Sequence, residues 1–361
     1  MELPVMPPVK PMLAKAATEV PGGDFLYEPK WDGFRCLVFR DGEEVELTSR
    51  NTKSFTRYFP ELLDPLREQV PDRCVLDAEL VVPAATSLDF DLLSQRIHPA
   101  ESRVQRLAAE TPAELVVFDI LALDDLDLRP LPLDNRRTTL ESLLEHVAAP
   151  LHLTPATRDA DLARDWFERF DGGGFDGVMA KRLDGTYQED KRAQVKVKHH
   201  RSVECVVAGY AEHRNGGVGS IKLGLFGPGP DGTQRLHHVG VCSAFSAARR
   251  KALEGELAPL TEGATINHPW GPPEGAAEAA QAGTRVPGAP NRWSGGKNSA
   301  PWIPLRPERV VEVTCENMSN GRFRHPARFV AWRPDREPAT CTMDQLDSPV
   351  PAEFLELFGT G

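Results

Sequence analysis

Alternation of apolar and polar positions marks most of the elements of this chain. Phe34 to Phe39 is an apolar run, Asp41-Gly42 a turn pair, and Val45 to Arg50 an alternating stretch, so residues 25 to 50 predict a hairpin. Pro60 to Gln69 has a helical period and precedes a strand over Cys74 to Val82. A short helix is predicted around Asp89 to Ile97, then a strongly apolar strand over Leu115 to Leu121. Asp134 reads as the N-cap of a helix carrying Arg136, Leu140 and Leu144, and a second helix is predicted over Asp159 to Phe170. The turn Asp171 to Gly174 ends that helix and leads into Phe175 to Lys181. After Arg201 the texture changes to short strands (Val203 to Tyr210, Ile221 to Phe226, Leu236 to Val241, Glu308 to Glu316, Ala327 to Trp332) and one helix, Ala247 to Leu257. That pattern suggests a small barrel. Residues 262 to 300, rich in Gly, Pro and Ala, predict a mobile surface insertion. No internal repeat is visible.

Length and composition sharpen the outline. A chain of 361 residues exceeds what one core usually supports, so two domains are expected. It is 40% hydrophobic and 26% charged, with no apolar run long enough to span a bilayer, and Met1 to Pro4 lacks the start of a secretory signal. Six cysteines, far apart in sequence and without a Cys-x-x-Cys pair, argue against a zinc site or disulfide framework and for a cytoplasmic location. The net charge of −11 is unevenly spread: Lys191 to Arg201 and Arg322 to Arg336 are strongly basic. These stretches are either solvated faces or phosphate-binding patches, since a local patch acts within a Debye length of about 8 Å.

The candidate chemistry centres on Lys30, in the run Glu28-Pro29-Lys30-Trp31-Asp32-Gly33-Phe34-Arg35. Taken alone, a Lys-x-Asp-Gly string reads first as an ordinary hairpin turn. Other positions support a site through strand alternation. Asp77 and Glu79 share one face of their strand while Leu76, Ala78 and Leu80 share the other. Lys196 and Lys198 likewise oppose Val195 and Val197, and two like charges on one face favour an anion between them. Ser49-Arg50-Asn51 adds a guanidinium suited to phosphate.

In this order the set resembles the covalent nucleotidyltransferases, specifically ATP-dependent DNA ligases, and among them the actinobacterial ligase C type and the ligase domain of bacterial ligase D. Lys30 to Arg35 resembles the family's nucleophile motif, Ser49-Arg50-Asn51 the arginine motif and Asp77 to Leu80 the acidic motif. Val117 to Ile120 is similar to the aromatic motif, Asp176 to Lys181 to the metal-carboxylate motif, Val195 to Lys198 to the paired-lysine motif and Arg333 to Arg336 to the C-terminal motif. The resemblance implies an α+β fold: an adenylation domain with antiparallel sheets over 1–201, then an OB-fold β-barrel domain over 202–361 with the insertion around 262–300. It implies that Lys30 attacks the α-phosphate of ATP, Glu28 faces adenine, Phe118 stacks on it, and Glu79 meets the ribose. Arg35 and Arg50 are expected at ribose or phosphate and then at the nick, and Lys196 and Lys198 at the α-phosphate. Arg333 is expected near ATP only in the first step, and Asp176 with Glu79 at a Mg²⁺ or Mn²⁺ ion. The expected partner is nicked duplex DNA, sealed by a monomer that acts in repair and binds no membrane.

Two positions depart from the family pattern. Asp176 stands where Glu is usual, one methylene shorter, and Arg336 where Lys is usual. An RNA ligase or mRNA guanylyltransferase shares the Lys-x-Asp-Gly nucleophile, and a catalytically silent nick-binding module is the alternative of another class. Retention of Lys30, Glu79, Lys196 and Lys198 argues against the silent module.

Overall fold

The computed structural model describes residues 1–84, 87–169, 175–271, 280, 283–287, 301–316, 318–319 and 321–346. The predicted Asp171 to Gly174 turn and residues 272–279, 281–282 and 288–300 of the predicted insertion lie outside them. The chain divides into two compact units at His199/His200.

In the first unit the elements follow as β1 (Leu13–Ala17), β2 (Phe25–Trp31), β3 (Phe34–Asp41), β4 (Glu44–Ser49), α1 (Leu63–Gln69), β5 (Arg73–Val81), α2 (Phe90–Gln95), α3 (Glu101–Glu110), β6 (Glu114–Leu123), α4 (Leu133–Leu143), β7 (Leu151–Leu153), α5 (Ala160–Arg169), β8 (Phe175–Arg182) and β9 (Arg192–Lys198). They build two sheets, ordered β1-β9-β8-β2 and β7-β6-β5-β3-β4. Neighbours are antiparallel except β1 with β9 and β7 with β6.

The predicted 25–50 hairpin is therefore correct only for β3 and β4. Its first strand, β2, belongs to the other sheet, and Asp32-Gly33 carries the chain across. Gly33 is required there by close approach: a Cβ would lie 2.1 Å from the Leu80 carbonyl oxygen and 2.9 Å from Glu79 Cγ. Helix α4 also differs from expectation, because its N-cap is Pro132 and not Asp134. The first amides of α4 find tertiary acceptors instead of a capping side chain: Leu133 N–H donates to Gly185 O at 2.9 Å and Asp134 N–H to Leu183 O at 3.0 Å. Helix α2 starts where it was predicted, and Asp89 is its N-cap, accepting from the amides of Asp91 and Leu92.

The second unit contains β10 (Arg201–Glu212), β11 (Val218–Pro228), β12 (Gln234–Cys242), α6 (Ala247–Leu257), β13 (Ile303–Cys315) and β14 (Arg328–Trp332). The strands form one antiparallel sheet in the order β12-β11-β10-β13-β14. Its edge strands do not pair along their length as a closed barrel requires; among the described residues a single bridge, Cys242 with Ala327, joins the two sides. The free edge of β12 is taken instead by the 283–287 segment, where His238 N–H donates to Arg285 O at 2.8 Å. Part of the predicted surface insertion is core: Trp270 is fully buried and donates its indole N–H to Leu236 O at 2.8 Å, and Val286 is buried beside it.

Candidate active site

A cavity of about 180 Å³ opens in the first unit, lined by both sheets. The β2-β8-β9 face supplies its charged floor. Across these three strands Glu28, Met179 and Lys196 stand in one row, by register. Lys30 and Lys198 follow two residues on, and so point to the same side of their strands as Glu28 and Lys196. Gly177 lies opposite Lys198 with φ +132°, and a Cβ there would meet Val197 O at 2.0 Å. The other sheet contributes Arg35, Glu79 and Phe118, and Arg50 closes one end just past β4.

Lys30 donates to Asp176 Oδ2 at 2.6 Å, and Lys198 Nζ stands 3.6 Å from the same oxygen. Burial alone lowers the pKa of the Lys30 amine, but the Asp176 carboxylate, helped by Glu79 and Asp32, reverses that and leaves it raised. The neighbouring cations Arg50, Lys196 and Lys198 would by themselves lower the pKa of the amine, and the carboxylates beside it outweigh them. Burial pushes the Glu79 carboxyl up to about 7 against the pull of Lys30 and Arg35. Arg35 makes a two-point contact with Asp77, Nε and Nη2 each at 2.5 Å, and its guanidinium lies 4.7 Å from the Phe118 ring centroid. Asp77 also accepts from the Tyr187 hydroxyl at 2.6 Å, and that hydroxyl accepts from Met12 N–H at 3.2 Å.

Of the sequence-derived candidates, Glu28, Lys30, Arg35, Arg50, Glu79, Phe118 and Lys196 line the cavity. Asp176 and Lys198 are not among its lining residues: Asp176 contacts Lys30, and Lys198 contacts Asp176. Arg333 belongs to the second unit, where it pairs with Glu204, with Glu312 at 3.5 Å and with Asp335 at 2.7 Å.

Sequence reasoning passed over several residues of the site. Lys181 and Gln194 line the cavity, as do Met12 and Met179. Lys181 is only 3% exposed, pairs with Glu28 Oε2 at 2.5 Å and lies 4.4 Å from the Phe118 centroid. The signal for it was present: Met179 and Lys181 alternate with buried Val178 and Ala180, as Lys196 and Lys198 do with Val195 and Val197. Arg137, on α4, approaches Glu28 Oε1 at 3.7 Å.

A half-buried lysine beside two carboxylates and a set of cations in a cavity is suited to nucleophilic attack on a phosphate. The carboxylates Asp176 and Glu79 are hard oxygen donors of the kind that share a divalent cation with nucleotide phosphates, although among the described residues no group of three or more His, Cys, Asp or Glu side chains gathers as a metal site.

Comparison with known proteins gives consistent results. Residues 10–198 match the model of the ATP dependent DNA ligase domain, and residues 214–336 that of the ATP dependent DNA ligase C terminal region. The chain is 50% identical over 351 residues to DNA ligase C2 of Mycolicibacterium smegmatis, covering 97% of each protein. It is 48% identical over 363 residues to DNA ligase C of Mycobacterium tuberculosis, covering 99% of each. Among solved structures a Lig E DNA ligase matches with a TM-score of 0.50 at 16% identity, over 89% of this chain and 99% of that one, a likeness of fold.

Proposed function

The chain belongs to the ATP-dependent DNA ligases, and on that premise we propose that it seals 3′-OH/5′-phosphate nicks in duplex DNA during repair, with Lys30 as the nucleophile. The observation that carries this is the placement of the Lys30 amine in a cavity whose walls hold Glu28, Glu79, Phe118, Arg50 and Lys196.

A free amine of pKa about 10.4 is only about 0.1% neutral at pH 7.4, a handicap of roughly 4 kcal/mol. Lys30 must therefore give up a proton, and Asp176 Oδ2, at 2.6 Å, is the nearest acceptor the geometry offers. The neutral nitrogen then forms a P–N bond to the α-phosphorus of ATP while the bond to the β-phosphate oxygen breaks and pyrophosphate leaves. Phe118 and Glu28 hold the base, Glu79 the ribose, and Arg50, Lys196 and Lys198 the phosphates, with Arg35 set against Phe118 by Asp77. AMP passes next to the 5′-phosphate of the nick, and the adjacent 3′-OH displaces it to leave a phosphodiester. Asp176 and Glu79 would hold the divalent cation, which when bound neutralises phosphate charge in the transition state. Arg333 would act on ATP in the first step alone.

Incubation with α-labelled ATP tests this directly. Wild type is expected to acquire an acid-labile phosphoramidate label that Lys30→Ala lacks, and to seal a nicked DNA duplex in preference to a nicked RNA duplex. A protein that never labels with ATP, or that labels equally well without Lys30, would overturn the assignment.

A further inference from the structure

Behind the cavity runs a chain of hydrogen bonds whose central group lies outside every sequence motif. Tyr187, in the connection between β8 and β9, is buried and does not line the cavity. Its hydroxyl nevertheless reaches both walls. It donates to Asp77 Oδ2 at 2.6 Å and accepts the Met12 N–H at 3.2 Å. Asp77 is fully buried on β5, in one sheet, and Met12 directly precedes β1, in the other. A single phenol oxygen thus joins the two sheets between which the cavity opens.

The far end of the chain is Arg35, which does line the cavity. Its Nε and Nη2 each donate to Asp77 at 2.5 Å, so the outer edge of the guanidinium is what remains for a ligand. A carboxylate held only by a guanidinium can pivot about its Cβ–Cγ bond and take the fork with it. A second donor on Oδ2 removes that freedom, and Tyr187 is that donor. The tyrosine is itself held in place. Arg136, buried and paired with Asp119 at 2.8 Å, lies 5.9 Å from the centre of its ring. The Tyr187 N–H donates to the Arg129 carbonyl at 2.9 Å, and the Gln188 N–H donates to Met12 Sδ at 3.5 Å.

We propose that Tyr187 is a positioning residue for nucleotidyl transfer: its hydroxyl locks the Asp77 carboxylate, sets through it the angle of the Arg35 guanidinium over Phe118, and ties that angle to the cavity wall at Met12. The inference rests on the adenylation reading above and adds to it a residue that never meets the nucleotide. Phenylalanine at this position keeps the ring and its packing and removes one oxygen. Asp77 then loses a donor, the buried Met12 amide loses its acceptor, and Arg35 is free to swing with the carboxylate.

The test is a double-mutant cycle on the rate of lysyl-AMP formation at saturating ATP, with Tyr187→Phe, Arg35→Met and the pair. Tyr187→Phe is expected to slow the step at least about tenfold, because small misplacements of a positioned group are costly in rate. Added to Arg35→Met it should change the rate by less than about twofold, since two residues acting as one unit are not additive. Urea unfolding of the same proteins separates a merely structural role. A Tyr187→Phe protein that loses stability but keeps its rate overturns the proposal, and so does an equal slowing in both backgrounds. Where Arg35→Met is too slow to measure, Arg35→Lys, which keeps the charge and loses the fork, takes its place. Should Tyr187→Phe fail to fold by circular dichroism, Tyr187→His enters the same cycle and is judged by the same outcomes. Absence of any wild-type label with ATP is a separate result, which removes the adenylation reading and this inference with it.

Discussion

At the scale of single residues the site is governed by one ion pair. Asp176 keeps the Lys30 amine protonated, and burial alone works in the opposite direction. Below its pKa the neutral fraction of an amine rises tenfold per pH unit, so the rate of lysyl-AMP formation is expected to climb with pH throughout the neutral range. Asp176→Asn removes the main influence that raises the pKa and leaves burial less opposed, so the rising limb should move to lower pH even as the maximal rate falls. A pH–rate profile at saturating ATP checks this, and a limb that stays in place or moves up would contradict it. The one-methylene departure at this position was visible in the sequence, but its consequence was not. Only the 2.6 Å separation shows that Asp176 holds the nucleophile directly.

At the scale of elements, the informative contrast lies between what alternation reveals and what it hides. Strand β9 was legible because it buries one face and charges the other, and α6 was legible from end to end, whereas β5 showed its alternation of Asp77 and Glu79 with apolar neighbours but not that both of its faces are largely buried. The partnership of β2 was hidden, because nothing local distinguishes a hairpin strand from one that leaves for a second sheet. The start of α4 was hidden for a similar reason, since its caps are the carbonyls of residues 183 and 185. Short β1 and β7 and helix α3, with only Val104 and Leu107 buried, gave too little pattern to predict. The crossing at Gly33 makes a sharp prediction. Gly33→Ala should cost about 1–3 kcal/mol by overpacking against β5 and slow lysyl-AMP formation at least tenfold, because the displaced strand carries Glu79. Gly22→Ala, where a Cβ meets nothing within 4 Å, is the control, and urea unfolding with single-turnover adenylation reads both. Equal behaviour of the two variants would count against the close-approach argument.

At the scale of the molecule, each unit has its own hydrophobic interior: one cluster from Val203 to Cys341 in the second, and clusters between Leu3 and Val197 in the first. Calorimetry is therefore expected to resolve two transitions. A non-transferable ATP analogue at a hundred times its Kd should stabilise one of them by about 2.7 kcal/mol and leave the other in place. A single transition, or equal shifts of both, would contradict this. No helix among the described residues is long and apolar enough to cross a membrane. The Lys30–Asp176 contact has a further consequence for the protein between substrates. Aldehydes, activated acyl groups and dissolved carbon dioxide consume free amines, and an uncharged lysine waiting in an open cavity would be lost to them over the life of the molecule. Stored as an ammonium against a carboxylate, the reactive nitrogen is chemically dormant, and the enzyme keeps its nucleophile intact from one turnover to the next until a nucleotide arrives.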